Sequence, residues 1–222
     1  MNQELIKNKS EVVIKINILY SFLKRTVDII IGVIGTILLI PTSIILKIAF
    51  IVTKDKGPLF FVQKRVGKNG KTIYIYKYRS MIVGAENKLK KMMKKDKNIR
   101  EEYQKNKKLK NDPRITKVGK FIRRTCIDEM PQFINLLKGN MTLIGPRPYL
   151  FSEIKDIGDA YFDIISVKPG ITGLWQVSDK EDMSFQRRCI IEKYYANNYG
   201  LMLDLKIFIK TFGTILGNHG TK

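Results

Sequence analysis

Ile29-Ile30-Ile31-Gly32-Val33-Ile34-Gly35-Thr36-Ile37-Leu38-Leu39-Ile40-Pro41-Thr42-Ser43-Ile44-Ile45-Leu46 runs for eighteen residues without a charge. That is about the shortest apolar stretch that crosses a bilayer as a helix, roughly 17 residues. Pro41 interrupts it. A proline inside a helix withdraws a hydrogen bond and crowds the preceding turn, so it kinks or breaks the helix. The neighbouring Thr42 and Ser43 carry hydroxyls that can satisfy the freed backbone groups, which lipid cannot. Both flanks are basic, with Lys24 and Arg25 before the run and Lys47, Lys54 and Lys56 after it. Basic residues favour the cytoplasmic side of a membrane. A kinked span puts one cluster on the wrong side. A helix that enters, breaks at Pro41 and returns keeps both in the cytoplasm, and this re-entrant reading is the one we favour.

The remaining composition narrows the partners. The chain has 222 residues, which suits one moderate domain plus an appendage. Its formal charge of +21 points to a polyanionic partner: nucleic acid, an anionic membrane surface or phosphorylated substrates. A hydrophobic content of 44% excludes a disordered basic tail. Cys126, Cys189 and the single His219 make neither a metal-ligand cluster nor a disulfide framework. Residues 1–20 lack a cleavage site after a short apolar core, so no signal peptide is expected. A first segment, residues 1–56, is expected to hold the membrane helix, and residues 57–222 the domain at the cytoplasmic face.

Within residues 57–81 two β-rich runs flank a turn containing Asn69-Gly70, a strong hairpin signal. Ile73, Ile75 and Lys77 alternate with Tyr74, Tyr76 and Tyr78, and Arg79 follows at the strand end. Residues 86–111 are dense in lysine, with Leu89, Met92, Met93, Ile99 and Tyr103 at rough helical spacing. A solvated helix explains them, and attraction to anionic lipid is the alternative. Leu201 to Leu216 carries Leu205, Phe208, Ile209, Phe212 and Leu216 at helical spacing. Core packing is the default for that helix, and the membrane interface is the alternative.

The chemistry-bearing stretch is Arg123-Arg124-Thr125-Cys126-Ile127-Asp128-Glu129-Met130-Pro131-Gln132. Two cations precede two adjacent carboxylates. Pro131 and Gly139 bracket a short apolar run and predict a helix that starts just after Glu129. An acidic helix cap and an anion-handling site both fit these residues. Further on, Gly145-Pro146-Arg147-Pro148 holds Arg147 between two prolines, so its planar fork is presented with little entropy left to lose. Lys168-Pro169-Gly170-Ile171-Thr172-Gly173 is a second glycine-bearing loop, followed by the only tryptophan, Trp175. Ile190, Tyr194 and Tyr195 suggest a helix holding Glu192.

Taken in order, these segments resemble the bacterial sugar transferases, the monotopic phosphoglycosyl transferases. The matching pieces are Lys24-Arg25 with Asp28, the Pro41 break, Gly57-Pro58 with Phe60 and Gln63, and Lys77-Tyr78-Arg79-Ser80-Met81. They continue with Asp128-Glu129-Met130-Pro131-Gln132, Leu137-Lys138-Gly139, Gly145-Pro146-Arg147-Pro148 and Pro169-Gly170-Ile171-Thr172-Gly173. The likeness covers nearly everything after about residue 20. Asp179 and Lys180 depart from the Gly and Arg that the family often carries there.

The resemblance implies an enzyme at the cytoplasmic face of the inner membrane. It would move a hexose-1-phosphate from a UDP-sugar to polyprenyl (undecaprenyl) phosphate with Mg2+, releasing UMP. This is the first membrane step of exopolysaccharide, capsule or glycoconjugate synthesis. It implies Asp128 as nucleophile and Glu129 as the Mg2+ ligand. It further implies a substrate and phosphate site containing Arg79, Arg123, Arg147, Lys168, Gln132 and Glu192. Leu174-Trp175 hints at glucose or galactose. The expected fold is α+β: helix-rich, with a small β-hairpin or sheet and an N-terminal re-entrant membrane helix broken at Pro41. No nucleic-acid partner is expected. From composition alone, a basic membrane-anchored binder of nucleic acid or anionic lipid competes, but it leaves the paired carboxylates and the rigid Arg147 loop unexplained.

Overall fold

The computed structural model describes residues 2–178 and 183–216. Asp179, Lys180 and His219 lie outside the described residues.

Helix α1 runs from Asn2 to Val52. At about 1.5 Å per residue its 51 residues extend over roughly 76 Å. One face meets the rest of the protein along a single stripe: Tyr20, Lys24, Asp28, Gly32, Gly35, Leu39, Ser43, Leu46 and Phe50. These positions recur every three or four residues, the period of one helix face. The opposite faces carry exposed Ile30, Val33, Ile34, Ile37, Ile40, Ile44, Ile45, Ile48 and Ile51. By length and composition, the Ile18–Val52 part of this helix is apolar enough to cross a membrane.

The stripe changes chemistry along its length. At one end Lys24 pairs with Asp204, Arg25 donates to the carbonyls of Leu136 and Leu137, and Asp28 accepts from the Leu143 N–H at 2.7 Å. In the middle, glycines allow close approach. A Cβ on Gly35 would stand 2.3 Å from the Phe133 ring, and one on Gly32 would stand 2.8 Å from Leu137. At the far end Leu39 and Leu46 pack with Tyr78 and Ile122, and the Arg79 guanidinium covers Phe50.

Pro41 does not break the helix as the sequence reading expected, because α1 continues through it. Neighbouring carbonyls find other donors. Thr42 Oγ1 donates to Leu38 O at 2.7 Å, and Tyr78 Oη, which shares a hydrogen bond with Ser43 Oγ at 2.7 Å, lies 3.3 Å from Leu39 O. The carbonyl that loses its helical donor to Pro41 is that of Ile37, so these bonds brace the turns beside the proline and do not replace the missing one.

The β-hairpin pairs β1 (Phe60–Val66) with β2 (Thr72–Tyr78) in antiparallel register, Phe60 opposite Tyr78 and Val66 opposite Thr72. Asn69 and Gly70 both take positive φ, which is why that dipeptide makes the turn. Ile73 and Ile75 point into the core. The expected 86–111 helix is two, α2 (Ala85–Lys95) and α3 (Lys97–Asn106). They divide at Asp96, which leaves helical geometry and caps α3 by accepting from Asn98 N and Ile99 N.

Helix α4 (Lys117–Arg124) leads to a 3-10 helix, Ile127–Gln132, and then to α5 (Phe133–Lys138), which Gly139 ends at φ 70°. Strand β3 (Thr142–Ile144) pairs in parallel with β4 (Gly170–Thr172). Between them lie the short helices α6 (Ile154–Ile157) and α7 (Tyr161–Ile165). After β4 come a 3-10 turn (Leu174–Val177), α8 (Phe185–Asn198) and α9 (Leu201–Leu216). The α+β class and the small sheet content agree with the sequence reading. The facing of α9 does not: Ile207 is its buried core residue, whereas Leu205, Ile209 and Phe212 are exposed.

Candidate active site

Asp128 and Glu129 lie in the first turn of the 3-10 helix Ile127–Gln132, earlier than the helix start read from Pro131. Cys126 reverses the chain just before them, at φ 56°, a left-handed conformation unusual for a residue with a side chain. The reversal turns the carboxylates back toward the end of α4.

Cations converge on the pair from four elements. Lys77, on β2, donates to Glu129 Oε1 at 2.6 Å. Its position follows from strand alternation, because it continues the face of buried Ile73 and Ile75. Arg123 comes from the last turn of α4. That helix is seated by Thr116 N donating to Ser80 O and by Gly119, whose missing Cβ leaves room for the Ser80 backbone. Arg123 Nε donates to Ser80 Oγ at 2.8 Å. Arg65, on β1, is buried and donates to Pro148 O and Gln63 Oε1. Arg147 follows β3.

The parallel pair β3–β4 joins the two glycine loops. Gly145 N donates to Thr172 O, and Gly170 N donates to Pro146 O at 2.8 Å. A Cβ on Gly170 would stand 2.2 Å from Gly145 N, so the loops touch through backbone. Glu192, on α8, is 1% exposed and accepts the Arg147 N–H with both oxygens, at 2.9 and 2.8 Å. It fixes the Arg147 backbone, while no protein acceptor holds the guanidinium among the described residues.

The environment separates the two acids. Asp128 is 8% exposed, and burial, then the Glu129 charge, push its carboxyl up to about 6. Burial would also raise Glu129. The Lys77 charge and hydrogen bond, with Arg147 and Arg65, instead hold it below the usual carboxylate range. Burial and the nearby Arg147 charge bring Arg65 down to about 10. Burial pushes Glu192 up to about 8, against the Arg147 N–H and the Arg147 and Arg188 charges. One nearly buried carboxylate beside an ionised one, ringed by cations, can attack or bind a centre whose own oxygens carry negative charge.

Several expected residues fall elsewhere. Arg79 is tied down by protein: Nε to Pro58 O, Nη1 to Met81 O and Nη2 to Asp55 Oδ1. It fastens the end of β2 to the segment that follows α1. Lys168 stands among Arg25, Asp28, Lys68 and Lys24, the charges that act on it most after burial, and its pKa is lowered. Gln132 is buried at the end of the 3-10 helix. Sequence reasoning missed Lys77 and Arg65. Their signal was present, as charged residues in phase with, or at the end of, a buried strand face.

Among the described residues no group of three or more Asp, Glu, His or Cys could hold a metal ion. Two adjacent carboxylates still suit Mg2+, which uses one or two carboxylates and completes its shell with water and substrate phosphates.

Comparison with known proteins relates the whole chain to a family. The chain is 42% identical over 199 residues to the undecaprenyl-phosphate galactose phosphotransferase of Salmonella typhimurium, covering 90% of this chain and 41% of that protein. It is 37% identical to the Klebsiella pneumoniae UDP-glucose:undecaprenyl-phosphate glucose-1-phosphate transferase, over 85% of this chain and 39% of that protein. The exopolysaccharide production protein ExoY of Sinorhizobium fredii is 33% identical, with 89% of this chain and 87% of that protein covered. The chain thus spans about two fifths of the length of several curated relatives it matches. The model for the bacterial sugar transferases matches residues 19–218, and the chain belongs to that family.

Proposed function

We propose that the protein transfers a hexose-1-phosphate from a UDP-sugar to a polyprenyl phosphate at the membrane surface, through a covalent phosphosugar on Asp128. The observation that carries this is the buried Asp128 beside ionised Glu129, within the field of Lys77, Arg65, Arg123 and Arg147. Relatives named for galactose and glucose transfer to undecaprenyl phosphate support it.

In the first step an Asp128 oxygen attacks the phosphorus that bears the sugar. The bond from that phosphorus to the bridging oxygen breaks, and UMP leaves with the electron pair. In the second step an oxygen of the lipid phosphate attacks the same phosphorus. The Asp128–phosphorus bond breaks, and the carboxylate returns. Arg147, Arg123 and Lys77 offset the charge of the diphosphate, without which a carboxylate is repelled. Glu129, with Asp128 adjacent, would hold Mg2+. That ion would supply further charge neutralisation at the phosphates.

The test is UMP release from UDP-glucose and UDP-galactose with undecaprenyl phosphate in detergent. Sustained release is expected only with lipid acceptor, and EDTA is expected to stop it until Mg2+ is restored. Absence of UMP from a full panel of UDP-sugars would overturn the assignment.

The docking of α1 supports a monotopic arrangement, and the basic flanks of its apolar run favour the cytoplasmic face. The body holds this helix from Lys24 to Phe50, roughly 39 Å of axis, through charged contacts at Lys24 and Asp28, glycine and apolar contacts in between and Arg79 over Phe50, so a perpendicular span would carry the basic body into hydrocarbon. A helix lying in the interface keeps its isoleucine faces in lipid and the body in water, and the exposed Leu205, Ile209 and Phe212 of α9 add to the lipid-facing surface. Cysteines at Asn8 and Lys56, in a background with Cys126 and Cys189 replaced, should label from the same side of sealed vesicles. Labelling from opposite sides would refute it.

A further inference from the structure

Three buried polar side-chain atoms on neighbouring elements have no hydrogen-bond partner among the described residues: Trp175 Nε1, Gln176 Oε1 and Arg188 Nε. Trp175 and Gln176 are consecutive in the 3-10 turn Leu174–Val177. The Arg188 guanidinium lies over that turn, its carbon 4.3 Å from the Trp175 ring centre and 5.8 Å from that of Phe185. Arg188 is 2% exposed and has no carboxylate within ion-pair distance among the described residues. Buried polar atoms are almost always paired in native folds, with protein, water or ligand, so a cluster of neighbouring exceptions marks a place where a polar partner fits.

The place of the group says which ligand. After burial, Arg147 is the charge that most affects Arg188, and Glu192, the acceptor of the Arg147 N–H, is one turn further along α8. A molecule whose phosphates meet Arg147 would therefore extend its next moiety toward Trp175. The polarity of the group says which moiety. Gln176 Nε2 already donates to Ile171 O at 3.0 Å, so the amide orientation is set and Oε1 is the free atom. The unpaired set is two N–H donors and one carbonyl acceptor, none of which can switch role. Uracil presents the converse, two carbonyls flanking one N–H. Cytosine places acceptors and an amino group differently. Sugar hydroxyls donate and accept alike and have no need of a fixed set.

Resting on the transferase reading above, we propose that Trp175, Gln176 and Arg188 form the wall that reads the uracil ring of a uridine diphosphate donor. All three atoms are covered while Trp175 and Gln176 remain half-buried as residues, so the base reaches them by displacing side chains at the rim.

Trp175→Phe deletes the unpaired N–H and keeps a ring beneath Arg188, and Gln176→Met deletes the acceptor. The full chain in detergent is titrated calorimetrically with UDP, CDP and pyrophosphate. The wild type should prefer UDP to CDP by about tenfold or more, and each variant should lose most of that preference at unchanged pyrophosphate affinity. Because Trp175 is the only tryptophan, UDP should change its emission and pyrophosphate should not. A purely structural role predicts that Trp175→Phe is neutral or stabilising and binds UDP as before. Retention of the full preference by both variants overturns the proposal. So does a loss confined to UDP-galactose against UDP-glucose, which would make the wall a sugar reader. If UMP is released by the wild type while the preference survives, only this inference fails. If the wild type neither binds UDP nor releases UMP, the transferase reading fails with it.

Discussion

With Asp128 as the proposed nucleophile, Asp128→Asn is expected to eliminate the covalent phosphosugar and to lower UMP release by at least about three orders of magnitude, as removing an attacking group does in covalent enzymes. It should also make the protein more stable. Burial and the Glu129 charge hold the Asp128 carboxyl at about 6 in the folded chain, against an ordinary 3.8. Ionising it is therefore harder in the fold than in the unfolded chain. The penalty is absent below about pH 4, builds as pH rises toward 6 and is fully present above it. An amide carries no such penalty. Melting curves of wild type and Asp128→Asn should thus be furthest apart at pH 8, with the variant higher, and should draw together toward pH 4. Activity of the wild type should fall as pH drops through about 6, where the attacking carboxylate is protonated. Asp128→Glu should also fail in turnover, since an added methylene moves the oxygen by about an ångström and such misplacement costs about 100-fold or more. Near-normal turnover by Asp128→Asn would show that another group attacks.

The second large effect is at the helix contact. Gly35→Val should detach α1 from the body, because even its Cβ would stand 2.3 Å from Phe133 ring atoms. Overpacking of this kind costs about 1–3 kcal/mol where side chains can shift, and more where a helix must move away. The measurement is the melting temperature of detergent-purified protein together with UMP release. Both should fall in Gly35→Val, and Phe133→Ala in the same chain should restore part of the stability. That rescue is the signature of one steric contact and not of altered helix propensity. A Gly35→Val protein that melts like the wild type would mean that α1 is not clamped at this point.

How much of this was legible beforehand depended on the range of the interaction. The hairpin was readable because Asn69-Gly70 is a local signal and both residues supply the positive φ within the connection of residues 67–71. The bounds of α9 were readable from spacing, yet the side it buries was not, because Leu205 and Ile207 are equally apolar and the choice is made by a cluster of distant residues that includes Ile144, Leu174 and Tyr195. The carboxylate pair stood out as a run of adjacent charges. The parallel pairing of β3 with β4 did not, since three-residue strands carry no period and their partners are far apart in sequence. Arg79 and Lys77 show the same limit. They are two residues apart on one chain, one tied into the fold and the other facing Glu129, and no property of arginine or lysine distinguishes those fates. Pro41 misled because the contacts that brace the helix around it come from distant residues, among them Tyr78, 37 residues later.

Tyr78 and Lys77 are consecutive on a strand, so they point to opposite faces by construction. One hydroxyl keys into the anchor helix beside its proline, and the next ammonium group holds Glu129. The depth of the carboxylates relative to the isoleucine surface is thereby set across a single pleat, with no hinge between. Tilting or rotating the helix would drag the charge cluster with it, so lipids of different thickness should be felt as a change in reactivity and not merely in attachment.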